Sequence, residues 1–196
     1  DETGGSGVDI STLVVKQDGT AVAAANITHT AISNGYSVTY TPSAALSDGS
    51  HTVTINCKDH DGNAAEEKST TYTVDTVPPT LNVTSPADDL ITAASSVTVA
   101  GTTNDATSSP VVITISLNGT DQGTVPVGTG GTFSKVVTLK EGSNTIIVKA
   151  KDAAGKESSV TRTVTLDTSV PKIKAATITP NPVDTGKTMV ISVTIE

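Results

Sequence analysis

Tryptophan is absent, phenylalanine occurs once and tyrosine three times in 196 residues. A core built without large rings gains less from each buried side chain, so the hydrophobic units of this chain are expected to be thin and modestly stable. The shortage also leaves few flat platforms on which a sugar ring would stack. Tyr36, Tyr40, Tyr72 and Phe133 all fall on strand-like stretches, where Tyr40 and Phe133 read as core and Tyr72 as inward-facing. A single cysteine, Cys57, excludes an internal disulfide. It shares a face with Val53 and Ile55 and reads as a small buried hydrophobe. Lysine and arginine number 12 against 20 aspartates and glutamates, a formal net charge of -8, and no basic run exists. Nucleic-acid binding needs a cationic footprint that this chain lacks, and an anionic lipid surface would repel it. No apolar run reaches the length of a helical span, so no membrane insertion is expected. No secretory signal opens the chain, which reads as beginning inside a module. Helical periodicity is missing as well, and Asn63–Lys68, the one helix candidate, is under two turns long.

What is present is valine, isoleucine and threonine in alternating runs, a composition suited to pleated sheet. One such run occurs twice. Leu139–Ser159 falls on Leu46–Glu66 after a shift of 93 positions, matching Leu139 with Leu46, Gly142 with Gly49, Asp152 with Asp59 and Gly155 with Gly62. Ile146, Val148 and Ala150 alternate in one copy as Val53, Ile55 and Cys57 do in the other, the mark of a strand with one buried face. The two sets are expected to be equally buried. Each copy is followed by a second alternating run that leads to Asp-Thr and a proline, at Asp75-Thr76-Val77-Pro78 and Asp167-Thr168-Ser169-Val170-Pro171. A tandem repeat of about ninety residues follows from this.

In chain order, the acidic loop Asp1–Asp9 leads into strands at Ser11–Lys16 and Thr20–Ala25, joined by the hairpin dipeptide Asp18-Gly19. Asn34-Gly35 precedes a strand at Tyr36–Thr41, and the copy His51–Lys58 and its return Glu67–Asp75 complete five strands. Val77-Pro78-Pro79 forms a stiff joint. Seven strands are expected beyond it, at Thr80–Ser85, Ser96–Gly101, Val111–Leu117, Asp121–Val125, Thr132–Thr138, Ser143–Lys151 and Ser159–Asp167, with Asn118-Gly119 as a second hairpin. Lys172–Thr179 and Lys187–Glu196 then make a hairpin too small to stand alone. The expected division is 1–77, 78–170 and 171–196: a first β-sandwich lacking its first strands, a complete second one, and a partial third module. The fold class is all-β, tandem sandwiches.

The run from Leu139 through Gly142, Asn144, Ile146, Val148, Ala150, Asp152, Ala154 and Gly155, with its Asp-Thr and proline flanks and its Asn-Gly hairpin, resembles bacterial immunoglobulin-like tandem repeats. The first copy departs at His51 and Cys57, and its opening Ser6-Gly7-Val8-Asp9 is similar to a variant of such modules. The resemblance implies an immunoglobulin-like fold and a place in surface adhesins, phage tail proteins or secreted polysaccharide-active enzymes. It implies no activity, because the family is a scaffold.

Calcium is the cofactor to weigh. Asp59-His60-Asp61-Gly62-Asn63 sets the oxygen-bearing Asp59, Asp61 and Asn63 at alternate positions, the spacing at which a tight loop wraps a hard cation. The same residues also suit a plain turn. Asp1, Glu2 and Asp9 could add ligands, whereas the second copy has Ala154 and Lys156 at the matching places. The histidines His29, His51 and His60 stand in no catalytic arrangement, and His51 reads as a surface hydrogen-bonding residue. No serine sits in a nucleophile elbow, and no paired carboxylates face a cleft, so no catalysis is expected. The sequence thus points to a non-catalytic extracellular or cell-surface array, a spacer or binding stalk whose partner is a protein or glycan. The alternatives are a phage tail or virion component, or an accessory module of a secreted polysaccharide-active enzyme. Self-association is expected if the terminal hairpin completes the first sandwich of another copy.

Overall fold

A computed structural model describes residues 5–33, 35–179, 181 and 185–196. The acidic residues Asp1 and Glu2, the turn residue Asn34 and the tail residues Pro180 and Pro182–Asp184 lie outside the described residues. Among the described residues, sixteen strands and two short 3-10 turns, at Ala24–Asn26 and Thr129–Gly131, make up the regular structure. The chain is all-β, in immunoglobulin-like sheets.

Residues 8–74 form six strands: β1 (Val8–Gln17), β2 (Thr20–Ala21), β3 (Ile27–Ile32), β4 (Gly35–Tyr40), β5 (Gly49–Asp59) and β6 (Lys68–Val74). Four of them build one sheet in the order β2-β1-β5-β6, and β3 and β4 make a separate hairpin. Asp18 and Gly19 both take positive φ, 50° and 78°, as the tightest two-residue hairpin demands. β3 was not among the expected strands. Its sequence, ITHTAI, has threonine and histidine between apolar residues and is almost wholly exposed, so it carries little hydrophobic period.

Residues 80–166 form β7 (Thr80–Ser85), β8 (Leu90–Thr92), β9 (Ser96–Asn104), β10 (Val112–Leu117), β11 (Thr120–Val125), β12 (Thr132–Thr138), β13 (Gly142–Lys151) and β14 (Glu157–Leu166). Here two layers close on each other, β12-β9-β7 against β11-β10-β13-β14-β8. The chain crosses between layers after β7 and again after β8, the short strand that the sequence reading missed. β8 pairs parallel to β14, with Leu90 opposite Val164 and Thr92 opposite Leu166. Arg162 spans this crossing, donating from Nη2 to the Val83 carbonyl at 2.9 Å and from Nε to that of Pro86 at 3.3 Å.

The core lies between these two layers. Val83, Val99, Phe133 and Val137 from one meet Ile113, Ile115, Ile146, Val148 and Val164 from the other. Gly101 makes room for the one phenylalanine. A Cβ there would stand 2.8 Å from Phe133 Cζ and 2.1 Å from the Asn82 carbonyl oxygen, closer than real contacts allow.

The first module is different. Its β1, β2, β5 and β6 match β10, β11, β13 and β14 in order and pairing, but β3 and β4 pair with each other in a separate, largely exposed sheet, and β7 and β9 have no counterpart among the described residues. Val15, 3% exposed, is the one fully buried hydrophobe among the described residues before the linker. Val53, Ile55 and Cys57 are half-buried, whereas Ile146, Val148 and Ala150 are all 0% exposed. The expectation of equal burial therefore fails, although the alternation holds. Tyr72 and Tyr40 are corrected too. Tyr72 is exposed, with its hydroxyl donating to Gln17 Oε1 at 2.9 Å, and Tyr40 is half-buried where Phe133 is fully so.

After the second module, β15 (Ile173–Thr179) and β16 (Val190–Ile195) pair antiparallel. Every described residue of the two strands is exposed, including Ile173, Ile178, Val190, Ile191, Val193 and Ile195.

The contrast between the two long strands has a measurable result. Val148→Ala removes two methyl groups from a closed core and is expected to destabilise the second module by about 1–3 kcal/mol. Val53→Ala, on a half-covered face, is expected to cost about half as much. Denaturant unfolding of the two variants checks this; equal losses would contradict the open first layer.

Candidate functional site

Three polar constructions stand out, and the repeat relates two of them. The first is a corner where the hairpin meets the start of the long strand. In the second module Asn144, fully buried, donates from Nδ2 to the carbonyls of Lys140 (2.7 Å) and Gly142 (2.9 Å). Its Oδ1 accepts from the Lys140 N–H at 2.9 Å and from Asn118 Nδ2 at 3.0 Å. Asn118 in turn accepts the Thr145 N–H on its Oδ1 at 2.8 Å. In the first module His51 and Asp18 take these places. His51 Nδ1 pairs with Asp18 Oδ2 at 2.7 Å, its Nε2 with the Ser47 carbonyl at 2.8 Å, and Asp18 Oδ1 accepts the Thr52 N–H at 2.7 Å. His51 is 7% exposed, so its reading as a surface residue is corrected. Burial of a group with two polar atoms is tolerated because both are hydrogen-bonded.

The charged version titrates where the neutral one does not. Hydrogen bonds from Gln17, His51 and the Thr52 N–H bring the Asp18 carboxyl down to about 2. The Asp18 carboxylate, and after it the Ser47 carbonyl, raise His51 above its ordinary value.

The second construction is the turn that ends the long strand. Asp59 Oδ1 accepts the N–H groups of Asp61 (3.0 Å) and Asn63 (2.8 Å), while Oδ2 accepts Asn63 Nδ2 at 2.8 Å. The Asn63 side-chain bond is the main cause holding the Asp59 carboxyl below its usual range. The twin turn places the Lys156 N–H on Asp152 Oδ1 at 2.8 Å. Backbone bonds repeat too, with Gly62 donating to Asp59 and Gly155 to Asp152. The structure thus brings Asp59, Asp61 and Asn63 into one loop, with both Asp59 oxygens engaged by turn donors. A cation held there would share the Asp59 oxygens with those donors. Cys57, half-buried, lines a neighbouring cleft of about 280 Å³ with Val8, Asp59 and Ala65.

The third construction was not foreseen. Asp75 directly follows β6, Asp105 follows β9 and Asp152 follows β13. One carboxylate oxygen from each of the three lies within 4.8 Å of the others. Asp75 and Asp152 are 9% and 5% exposed, and the buried Oδ2 of each has no hydrogen-bond partner. Asp75 lies 30 residues from Asp105 and Asp105 lies 47 from Asp152, so no local spacing announces the cluster. The available signal was that each aspartate immediately ends a strand, and that Asp75 and Asp152 recur in the repeat as Asp167 and Asp59.

Comparison with known families matches residues 4–76 to the Bacterial Ig-like domain and residues 79–168 to Glucodextranase, domain B. No curated protein sequence matches the chain. Among solved structures, the fibronectin(III)-like modules of Clostridium thermocellum CbhA superpose with a TM-score of 0.48 at 13% identity, over 85% of this chain and 82% of that one. A tetra-tandem repeat from the extending region of a large adhesion protein gives 0.39 at 21% identity, over 99% of this chain and 56% of that one. Bacteroides ovatus SGBP-B, in complex with a mixed-linkage heptasaccharide, gives 0.26 at 15% identity, over 87% and 42%.

The corner predicts a stability profile with two edges. Asp18 titrates lower folded than unfolded, so its contribution is present above about pH 4 and is lost as pH falls toward 2. His51 titrates higher folded than unfolded, so its contribution is complete below about pH 6.5 and is lost as pH rises through the raised value. Thermal unfolding of the first module is therefore expected to be most resistant between about pH 4 and 6.5. The double substitution Asp18→Asn with His51→Asn, which copies the second module, is expected to flatten both edges. A profile unchanged by it would mean that the pair does not set the pH response.

Proposed function

From a first module that matches the Bacterial Ig-like domain and a second that matches Glucodextranase, domain B, we propose that the chain is a tandem of immunoglobulin-like modules working as a non-catalytic spacer or binding stalk outside the cell. The observation that carries this reading is the built joint between the modules. Asp75 is buried, with its Oδ1 accepting the Val77 N–H at 3.1 Å. Pro79 is fully buried, and its carbonyl accepts the Ser158 hydroxyl at 2.6 Å. A linker whose residues pack into the next module transmits orientation, unlike a flexible tether. The partner at the end of such a stalk is a surface protein or glycan.

A second reading has its own support in the match of residues 79–168 to Glucodextranase, domain B. On that reading the chain is an accessory part of a secreted polysaccharide-active enzyme, with the chemistry carried by another domain.

Small-angle scattering of the chain is expected to fit one fixed arrangement of the two modules across concentrations. A broad ensemble of module orientations would sink the spacer reading. Affinity electrophoresis in glucan-containing gels separates the alternatives, since retardation there favours the enzyme-associated role.

The same reading assigns the exposed β15–β16 hairpin a partner, the half-covered face of the first module in a second copy. β15 follows Pro171 as β7 follows Pro79, and the described residues before β6 hold no counterparts of β7 and β9. An exposed apolar hairpin and an uncovered sheet face favour strand addition. Light scattering is expected to show association rising with concentration and lost on deletion of residues 171–196. A chain that stays monomeric throughout would rule the exchange out.

A further inference from the structure

We propose that Asn118 is a deamidation site, held unreactive by Asn144 and Thr145 while the corner of the second module is closed, and that its reaction stops the corner from closing again. Asn118-Gly119 is one of two Asn-Gly pairs in the chain, the other being Asn34-Gly35. A glycine after asparagine has no Cβ to shield its backbone nitrogen, which can attack the side-chain amide carbon. The new C–N bond closes a succinimide, and the amide nitrogen leaves as ammonia. Water then opens the ring at one carbonyl to give aspartate, or at the other to give isoaspartate, whose backbone runs through the side chain. Asn118 is exposed at the tip of the β10–β11 hairpin, and nothing stands within 4 Å of the place a Cβ would take on Gly119. What the folded chain withholds is freedom of the amide. Asn118 Nδ2 donates to Asn144 Oδ1 at 3.0 Å, and Oδ1 accepts the Thr145 N–H at 2.8 Å. The Asn118 N–H donates to the Thr145 carbonyl, also at 2.8 Å. Side chain and backbone are both tied to β13, so the amide reaches the Gly119 nitrogen only after the hairpin parts from that strand.

The product does not fit the place that the amide leaves. A carboxylate only accepts. One of its oxygens can keep the Thr145 N–H, but the other faces Asn144 Oδ1, itself an acceptor. Asn144 is fully buried, so solvent does little to screen that contact. Turning the Asn144 amide over gives no relief. Its Nδ2 would then meet the Lys140 N–H, and its Oδ1 the Lys140 and Gly142 carbonyls. The first module shows what an aspartate needs at this position. Asp18 stands there, and the residue facing it is His51, whose Nδ1 lies 2.7 Å from Asp18 Oδ2 and can donate. Isoaspartate would lengthen the backbone of a two-residue hairpin in which Asn118 and Gly119 hold φ at 51° and 79°. Opening of the intact corner is reversible, whereas opening followed by reaction is not. The chemistry is independent of the stalk and enzyme-associated readings.

Timed peptide mass spectrometry of the whole chain in mildly alkaline buffer, native and in urea, tests the lock. In urea the Asn118 and Asn34 peptides are expected to deamidate at similar rates. In the native chain the Asn118 peptide is expected to react roughly tenfold or more slowly than in urea, because only the locally opened population is competent. Asn144→Ala, under the same native conditions, is expected to bring the rate close to that in urea. Asn118→Asp supplies the product directly and is expected to lower the melting temperature of the second module by roughly 5 °C or more. Adding Asn144→His to it copies the pair of the first module and is expected to recover most of that loss at mildly acidic pH. This pair of variants decides the matter even where Asn144→Ala fails to fold. An Asn118 peptide that reacts as fast in the native chain as in urea would overturn the lock. An Asn118→Asp chain as stable as the parent, or a double variant no more stable than that single one, would overturn the effect assigned to the product.

Discussion

Each module depends on one buried side chain at the start of its long strand, a group whose polar atoms bond both the loop before the strand and the hairpin beside it. A sheet of small β-branched residues has weak means of fixing register, because a slip by two positions leaves valine facing valine and isoleucine facing isoleucine. Asn144 removes that freedom. Its amide bonds the loop before the strand and the hairpin beside it, and a displaced strand would leave those atoms buried without partners. His51 does the same work with an aspartate in place of the second asparagine. The partner changed along with the residue, so one geometry is maintained by a neutral pair in one copy and an ionisable pair in the other.

The two modules share a strand plan and differ in closure. Where β7, β9 and β12 cover the sheet, the alternating residues of β13 reach full burial. Where β3 and β4 form only a separate two-stranded sheet, the equivalent residues of β5 stay half-buried. The side chains are comparable, so the difference arises from the layer opposite rather than from the strand itself. Burial is a property of pairs of surfaces, and a single strand's pattern can state only which face is meant to be covered.

That distinction explains what was legible in the sequence. The repeat, the Asp18-Gly19 and Asn118-Gly119 hairpins and the strands that flank them depend on neighbours within a few residues, and all were readable. β8 was missed because three residues carry no period and its partner, β14, lies more than seventy residues away. His51 was misjudged because its burial rests on Asp18, 33 positions earlier. The Asp59 loop has oxygen-bearing side chains at alternate positions, whereas its twin at Asp152 has Ala154 and Lys156 there. Yet Asp152 is the copy that meets other carboxylates, because Asp75 and Asp105 arrive from elsewhere in the chain. Local spacing finds loops that wrap an ion by themselves and overlooks sites assembled from strand ends.

The parallel pairing of β8 with β14 bears on how the chain answers to tension. β8 stands near the entrance to the second module and β14 at its exit, and the two run in the same direction. Pulling the entrance and exit apart slides one strand along the other, so the rungs between Leu90–Thr92 and Val164–Leu166 are loaded together, in shear. The terminal hairpin has the opposite mechanics. Lys172 and Glu196 pair at its open end through two backbone bonds of 2.7 and 2.9 Å, and force applied there parts the rungs one after another, as a zip opens. A load carried along this chain would meet its firmest resistance inside the second module and its least in the hairpin that follows.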